Sequence, residues 1–397
     1  MNTIFQRQSL YRPTVAVVDL GKLARNTRKL FQAMGRPAFF CPMVKANAYG
    51  HGDLEIAKKL RAIGVEHLGV GLVEEALHLR EDGDSKSILH FGMFDRHGAK
   101  VLIENAITPV ISSIEEVQIL TAEMATVTRQ TPLDVHLKIN TGMNRLGLAP
   151  ALALEATRKI LAEPKLRLTG VATHFASGEV LSREGSTAHE QLTLFESCVR
   201  EIKKLGAGDF VQHIANSATA RELRLLGREE FGVRPGIAVY GIELPTEAAP
   251  QENVFSLEPV LRLESRIVHI QDVRQGGRVS YGGHWQSTRD SKIGVVPIGY
   301  ADGYHRGLGG GSVLIHGRRA SIVGNICMDY FMVDLTDFGA QAKVGDTVVL
   351  LGEMQNDKIT AQELADRLGS IPYEILTSLS ERVPRLYNDD PQSASVF

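Results

Sequence analysis

Phe39-Phe40-Cys41-Pro42-Met43-Val44-Lys45 is an apolar run that ends in a lysine, and Ala46-Asn47-Ala48-Tyr49-Gly50-His51-Gly52 follows before the chain takes up helical period at Asp53. The run reads as a buried strand, and Asp53 to Ile63, with Asp53 able to cap, reads as a helix. His67 to Gly71 is the next short apolar run, so the stretch is a strand–helix–strand unit. The alternation repeats outward between Thr14 and Tyr240. Strands are predicted at Val15–Leu20, Phe39–Lys45, His67–Gly71, Ile88–Gly92, Thr108–Ile111, Val135–Asn140, Leu168–His174 and around Gln212. Helices are predicted at Asp53–Ile63, Ser113–Glu123, Ala149–Leu161 and His189–Leu205. Eight such units over roughly 230 residues favour a (β/α)8 barrel over a doubly wound sheet, and a barrel carries its chemistry at the C-terminal ends of its strands. Lys45 stands at such an end.

From Pro259 the texture changes. Leu261, Leu263, Ser265, Ile267 and His269 alternate with Arg262, Glu264, Arg266 and Val268 in strand period, and glycine turns become frequent. Val295–Ile298, Ser312–Ile315 and Thr347–Leu351 read as strands, with one short helix near Ala361–Leu368. The expectation is an α/β barrel over residues 1–250 followed by a mainly β domain over 251–397. Leu244–Asn253 reads as the linker.

The 397 residues carry 44 basic and 46 acidic side chains, a net charge of −2, so no bulk charge favours nucleic acid or an anionic membrane. A small molecule is the expected partner. Cys41, Cys198 and Cys327 are scattered and odd in number, which argues against a disulfide framework and for a reducing cytoplasm. No apolar run of about 18 residues occurs, and Met1–Leu10 lacks the apolar core of a signal peptide. The histidines show no paired ligand spacing, so no metal is expected. Cys41 and Cys198 read as core residues, and Trp285 as a lone aromatic.

A lysine at a strand end can snorkel to water, or it can be desolvated enough to attack a carbonyl and form a Schiff base. Spacing alone does not choose between the two. The string Val44-Lys45-Ala46-Asn47-Ala48-Tyr49-Gly50-His51-Gly52 resembles the cofactor-lysine motif of the alanine racemases, and further motifs of that family follow in order. They are Lys138-Ile139-Asn140-Thr141-Gly142-Met143-Asn144-Arg145-Leu146-Gly147, Thr173-His174-Phe175-Ala176, Ala215-Asn216-Ser217, Val233-Arg234-Pro235-Gly236-Ile237-Ala238-Val239-Tyr240-Gly241, Val279-Ser280-Tyr281-Gly282, Gly299-Tyr300-Ala301-Asp302-Gly303, Cys327-Met328-Asp329 and Arg382-Val383-Pro384-Arg385.

The resemblance implies a pyridoxal 5'-phosphate enzyme of fold type III that racemises alanine as a homodimer with shared active sites, supplying D-alanine for peptidoglycan. It implies Lys45 as the cofactor lysine and one base, with Tyr281 of the other subunit as the opposite-face base. Inversion needs a group on each face of a planar centre. His174 would assist Tyr281, and Arg234 would face the pyridine nitrogen and leave it unprotonated, weakening the electron sink and disfavouring side reactions. Tyr49, Asn216, Ser217, Gly236 and Ile237 would hold the phosphate. Arg145 and, from the other subunit, the backbone of Met328 would meet the substrate carboxylate, and Lys138 would be the position carbamylated in some relatives. Tyr300, Asp302, Arg306 and Asp329 resemble residues lining an access corridor.

Three positions depart from the family pattern. Glu381 stands where some members carry a tyrosine at an inner gate, which bears on strict alanine preference, while Asn140 replaces a common Asp and Pro235 an occasional Phe. A broad-specificity amino-acid racemase is the alternative within enzymes. A fold-type III decarboxylase, which has a carboxylate where Arg234 stands, and a pyridoxal-phosphate carrier, which resembles the barrel alone, are further alternatives.

Overall fold

The structure, a computed structural model, describes residues 11–127, 131–228, 230–243 and 255–389. The described residues fall into two units. One holds the described part of Met1–Lys22, Tyr49–Gly52 and the described part of the chain from Pro259; the other holds Leu23–Ala48 and the described residues of Asp53–Glu258.

The chain opens with β1 (Val15–Asp19) and α1 (Leu20–Ala33). Then come α2 (Lys45–Tyr49), α3 (Asp53–Ala62), β2 (His67–Val70), α4 (Val73–Glu81), β3 (Ser87–His90), α5 (Arg96–Glu104), β4 (Thr108–Ile111) and α6 (Ile114–Met124). They are followed by β5 (Leu133–Lys138), α7 (Pro150–Ala162), β6 (Leu166–Ala172), α8 (Thr187–Lys204), β7 (Val211–Ala215), α9 (Ser217–Leu225) and β8 (Gly232–Val233). Side-chain caps start several helices: Asp95 accepts from Gly98 N–H ahead of α5, Ser186 from His189 N–H ahead of α8, and Asn216 from Thr219 N–H ahead of α9.

Strands β2 to β8 pair in sequence order, every pair parallel. The extended segment Phe39–Val44 joins the two edges. Cys41 N–H donates to Val233 O at 2.8 Å and Met43 N–H to Pro235 O at 2.9 Å on one side, while Val44 N–H donates to Gly69 O at 2.8 Å on the other. The result is the (β/α)8 barrel. Phe39, Cys41, Leu89 and Val110 pack into one buried cluster. Burial raises the Cys41 thiol to about 12, so it packs as a small apolar group rather than acting as a nucleophile.

The eight strands are not the eight that the sequence suggests. Val15–Asp19 is not in the barrel: β1 pairs antiparallel with β9 (Leu261–Arg266) and parallel with β19 (Arg385–Asn388). The eighth barrel strand is instead the two-residue β8. A barrel domain that begins at residue 1 is corrected accordingly, because the ladder partners of β1 all lie beyond residue 258. The linker Leu244–Asn253 and the expected boundary at 250 lie outside the described residues.

The other unit is built on a ten-stranded sheet. Its remaining strands are β10 (His269–Val273), β13 (Ser291–Val296), β14 (Ser312–Ile315), β15 (Arg318–Val323), β16 (Phe331–Asp334), β17 (Thr347–Met354) and β18 (Asp357–Ile359). A separate pair is formed by β11 (Arg278–Val279) and β12 (Trp285–Gln286), and α10 (Ala361–Leu368) and α11 (Pro372–Thr377) precede β19. The alternating run Leu261–His269 is not one strand. It breaks at Ile267–Val268, where pairing passes from β17 to β13: Ile267 N–H bonds Asp346 O and Val268 N–H bonds Val295 O. No helix among the described residues is long and apolar enough to cross a membrane.

Candidate active site

Five of the eight barrel strands end in a residue singled out by its chemistry. Lys45 follows Phe39–Val44, Lys138 closes β5, His174 comes two residues after β6, Ser217 two after β7, and Arg234 directly after β8. All therefore gather at the C-terminal end of the barrel.

The chain leaves Lys45 in a left-handed turn. Ala46, Asn47 and Ala48 have φ/ψ of 53/52, 53/49 and 50/52, and Tyr49 has φ 53. Each ordinary residue in this region costs roughly 1–2 kcal/mol, so four in a row mark a segment held by its surroundings. Bonds that hold it include Ala48 N–H to Val44 O at 2.9 Å, Asp53 N–H to Asn47 Oδ1 at 2.9 Å, Ala46 N–H to Glu75 Oε1 at 2.6 Å and the His51 ring to Tyr49 O at 2.9 Å. Lys45 stays accessible from solvent. Partial desolvation by the surrounding rim, and then the Arg145 charge, hold its amine below the usual lysine range, while Glu75 opposes.

Arg234 is 5 % exposed and has no carboxylate among its hydrogen-bond partners. One guanidinium nitrogen donates to His213 O and, at 2.9 Å, to His213 Nδ1. The other donates to Thr173 O at 2.8 Å and reaches His174 Nδ1 at 3.4 Å. Each imidazole accepts on Nδ1, so each must be neutral there. His213 in turn meets His136 through Nε2···Nδ1 at 2.8 Å, a buried chain that fixes the tautomers from Arg234 inward. Burial and then the Arg234 charge push His174 down to about 3 and His213 well below its usual value. Burial also takes His136 to about 3 and Arg234 down to about 10.

Lys138 is 8 % exposed, and its amine makes no hydrogen bond among the described residues. Burial, then Arg234, Arg145 and Lys45, push it down to about 8. The rim thus concentrates four cations and repels protons. Such a place favours an anionic ligand.

At the start of α9, Ser217 Oγ accepts from Gly236 N–H at 3.0 Å and Ala238 N–H at 3.3 Å. The Gly236 amide is therefore engaged with Ser217. The Ile237 N–H finds no acceptor among the described residues. Together with the first N–H groups of α9, it forms a patch of donors suited to phosphate. Arg145 is exposed and makes no hydrogen bond among the described residues. Its loop is shaped by Asn140, whose Oδ1 accepts from Gly142 and Asn144 N–H and whose Nδ2 donates to Asn144 Oδ1 at 3.0 Å. Aspartate in that position could accept but not donate.

In the other unit, Tyr281 is 73 % exposed on a turn pinned from behind. Asn325 Nδ2 donates to Tyr281 O at 2.7 Å, and Ser280 Oγ donates to Asn325 O at 2.7 Å. Met328 and Tyr300 are also exposed, and their backbones are tied by Tyr300 N–H to Cys327 O and Ala301 N–H to Met328 O. Arg306 is exposed, and Asp329 pairs with Arg382 at 2.5 Å. Tyr49 is buried, with its ring 6.0 Å from that of Tyr373. Asp302 departs from the expectation of a corridor residue. It is wholly buried, held by Arg12 at 2.8 Å and Arg382 at 3.3 Å and accepting from Gly299 N–H. A carboxylate so enclosed is structural.

Residues 18–244 match the family "Alanine racemase, N-terminal domain" and residues 260–387 match "Alanine racemase, C-terminal domain". The chain belongs to the alanine racemase family. It is 38% identical to the alanine racemase of Carboxydothermus hydrogenoformans over 377 residues, 95% of this chain and all of that one. It is 36% identical to alanine racemase 1 of Bacillus subtilis over 378 residues, 95% of this chain and 93% of that one. Among solved structures it resembles the alanine racemase of Bacillus anthracis with bound L-Ala-P, at TM-score 0.87 and 32% identity with 96% of each chain covered. It also resembles that of E. faecalis, at TM-score 0.83 and 32% identity, covering 96% of this chain and 99% of that one. As a member of this family the chain is an enzyme of the racemase class.

The family motifs did not point to Glu75, His213, His136 or Arg12. His213 precedes Ala215-Asn216-Ser217 by two residues on β7, the same strand face, which is the one signal that could have found it. Glu75 carried only a helix-start signal.

Proposed function

We propose that this racemase interconverts L- and D-alanine with pyridoxal 5'-phosphate carried on Lys45, as a cytoplasmic homodimer with shared sites that supplies D-alanine for peptidoglycan. The observation that carries the reading is the four-cation rim of Lys45, Lys138, Arg145 and Arg234, where the buried Arg234 is held by neutral acceptors alone. Such a rim fits a cofactor whose phosphate and phenolate are anions and a substrate whose carboxylate is a third.

When bound, the cofactor supplies an electron-withdrawing ring that lets the Cα proton leave. Lys45, whose amine is held below the usual lysine range, is suited to remove or return that proton on one face. Tyr281 of the partner subunit does so on the other face, assisted by His174, which its surroundings keep neutral. Arg234 presents its guanidinium to the pyridine nitrogen. Its fixed charge keeps that nitrogen from taking a proton. Tyr49, Asn216, Ser217, Gly236 and Ile237 hold the phosphate, chiefly through N–H groups at the start of α9 and at Ile237. Arg145 and the backbone of Met328 of the partner subunit bind the substrate carboxylate, and Tyr300, Arg306 and Asp329 line the approach.

Lys138 is the carbamylation site. A buried lysine pushed down to about 8 has an appreciable neutral fraction, and its amine adds carbon dioxide with release of one proton. The carbamate is an anion beside Arg145. The chains assemble in a reducing compartment, consistent with three unpaired cysteines.

The test is a chiral assay of L-alanine incubated with the protein and pyridoxal phosphate. Equal amounts of D- and L-alanine at the end are expected, and absence of D-alanine overturns the reading. For the shared site, inactive Lys45→Ala and Tyr281→Phe chains mixed as heterodimers should recover part of the activity. Confirmed heterodimers without activity would remove that element.

A further inference from the structure

Helices α4 and α6 begin with the same device, and the difference between them assigns a role. At α6, Ser113 Oγ accepts from Glu116 N–H at 3.1 Å. Glu116 Oε2 accepts from Ser112 N–H at 2.6 Å and Ser113 N–H at 3.2 Å, while Oε1 makes no bond of ordinary geometry among the described residues, although the Phe94 backbone N–H also acts on the carboxyl group. At α4, Glu75 Oε2 serves in the same way, accepting from Gly71 N–H at 2.8 Å and Leu72 N–H at 3.1 Å. Its Oε1 turns elsewhere. It accepts the Ala46 N–H at 2.6 Å, from the residue directly after Lys45 and 29 positions away in sequence.

Glu116 shows that one carboxylate oxygen is enough to start such a helix. The second oxygen of Glu75 is therefore free for another task, and it ties the first residue of the left-handed turn to the end of β2. A carboxylate acceptor makes this a charge-assisted bond, roughly twice as strong as a neutral one. The two side chains flank the same backbone: a Cβ on Gly71 would be in ordinary van der Waals contact, at 3.6 Å, with both Glu75 Oε2 and Lys45 Cδ. Glu75 thus meets both the backbone that follows Lys45 and the surroundings of its side chain. The turn is also tied by Ala48 N–H to Val44 O and by Asp53 N–H to Asn47 Oδ1, but among these bonds the one from Glu75 is the one that engages Ala46.

We infer that Glu75 is a positioning residue for Lys45, holding Ala46 in its left-handed conformation so that the Lys45 amine is aimed from the strand end. The inference rests on the reading of Lys45 as the cofactor lysine.

The test is hydrogen–deuterium exchange of the cofactor-free protein over residues 45–49, for the wild type, Glu75→Ala, Glu75→Gln and the control Glu116→Gln. Glu75→Ala should exchange about tenfold or more faster in that segment, as loss of a bond to a charged acceptor predicts. Glu75→Gln, which retains a single carbonyl oxygen, should lie between, and Glu116→Gln should leave the segment at the wild-type rate. The rate at which pyridoxal phosphate becomes fixed to Lys45 on borohydride trapping should fall in the same order, and kcat should fall more than KM rises. Unchanged exchange at 45–49 in a folded Glu75→Ala or Glu75→Gln overturns the inference, and so does equal loosening by Glu116→Gln. If the cofactor is not fixed at Lys45 in the wild type, the parent reading fails, while the exchange result still decides whether Glu75 holds the turn.

Discussion

Arg234 and Asp302 are both buried charges, and they are buried in opposite ways. Asp302, wholly enclosed, has two arginines and a backbone N–H around it. Arg234, 5 % exposed, has two carbonyls and two neutral imidazoles. A buried charge with its counter-ions at hand is complete and belongs to the architecture. One surrounded only by neutral acceptors, with three more cations on the same rim, has an unmet electrostatic need, and this is what a binding site for an anion looks like.

The largest expected effect separates the two directly. Lys45→Ala and Arg234→Ala should each lower racemisation by at least roughly 10²–10³-fold while circular dichroism stays native, because each removes a group aimed at the reacting centre. Asp302→Asn should do the reverse. It should lower stability by roughly 1–3 kcal/mol in urea melts, less than a fully buried pair because Arg12 and Arg382 can turn to water, and leave kcat within a few-fold. A large kcat loss in a stably folded Asp302→Asn would erase the distinction.

Proton linkage gives a smaller effect. Lys138 loses its proton near pH 8 when folded but only near 10.4 when unfolded, so between those values the unfolded chain binds more protons and stability rises with pH. Urea melts of the cofactor-free protein should show Lys138→Met flattening that rise, whose slope for one such group is at most about 1.4 kcal/mol per pH unit. On the acid side the signs are the same for His136 and His174. Each is neutral in the fold down to about pH 3, so each costs stability as pH falls from about 6.5 toward 3. The smallest effect is expected at Asn140→Asp, which loses the bond from Nδ2 to Asn144 Oδ1. A KM for alanine raised by no more than a few-fold, with stability changed by about 0.5–1 kcal/mol, would fit a loop that only shapes the approach to Arg145.

Much of this was legible in the sequence, and the exceptions have physical reasons. The strand ends that carry Lys45, Lys138 and His174 follow from short apolar runs, because parallel barrel strands are buried on both faces. Val15–Asp19 looks the same locally as a barrel strand. Its place is decided by Leu261–Glu264 and Arg385–Asn388, some 250 to 370 residues away, which no local pattern reports. The true eighth strand is two residues long and hides in the segment that leads to Arg234. The left-handed turn was hidden for a different reason: Ala46, Ala48 and Tyr49 are not residues that favour positive φ, and the bond from Glu75 that helps hold them is a tertiary contact. Asp302 sits within a family motif, yet only the packing of Arg12 and Arg382 reveals it as structural.

The central claim is that the unpaired positive rim holds an anionic cofactor on Lys45. Borohydride reduction of the protein loaded with pyridoxal phosphate, followed by peptide mapping by mass spectrometry, tests it most directly. The account predicts the label on Lys45 alone, lost in Lys45→Ala and retained in Lys138→Met. Label on Lys138 or on a lysine outside the barrel rim, or no stable label at all, would contradict it.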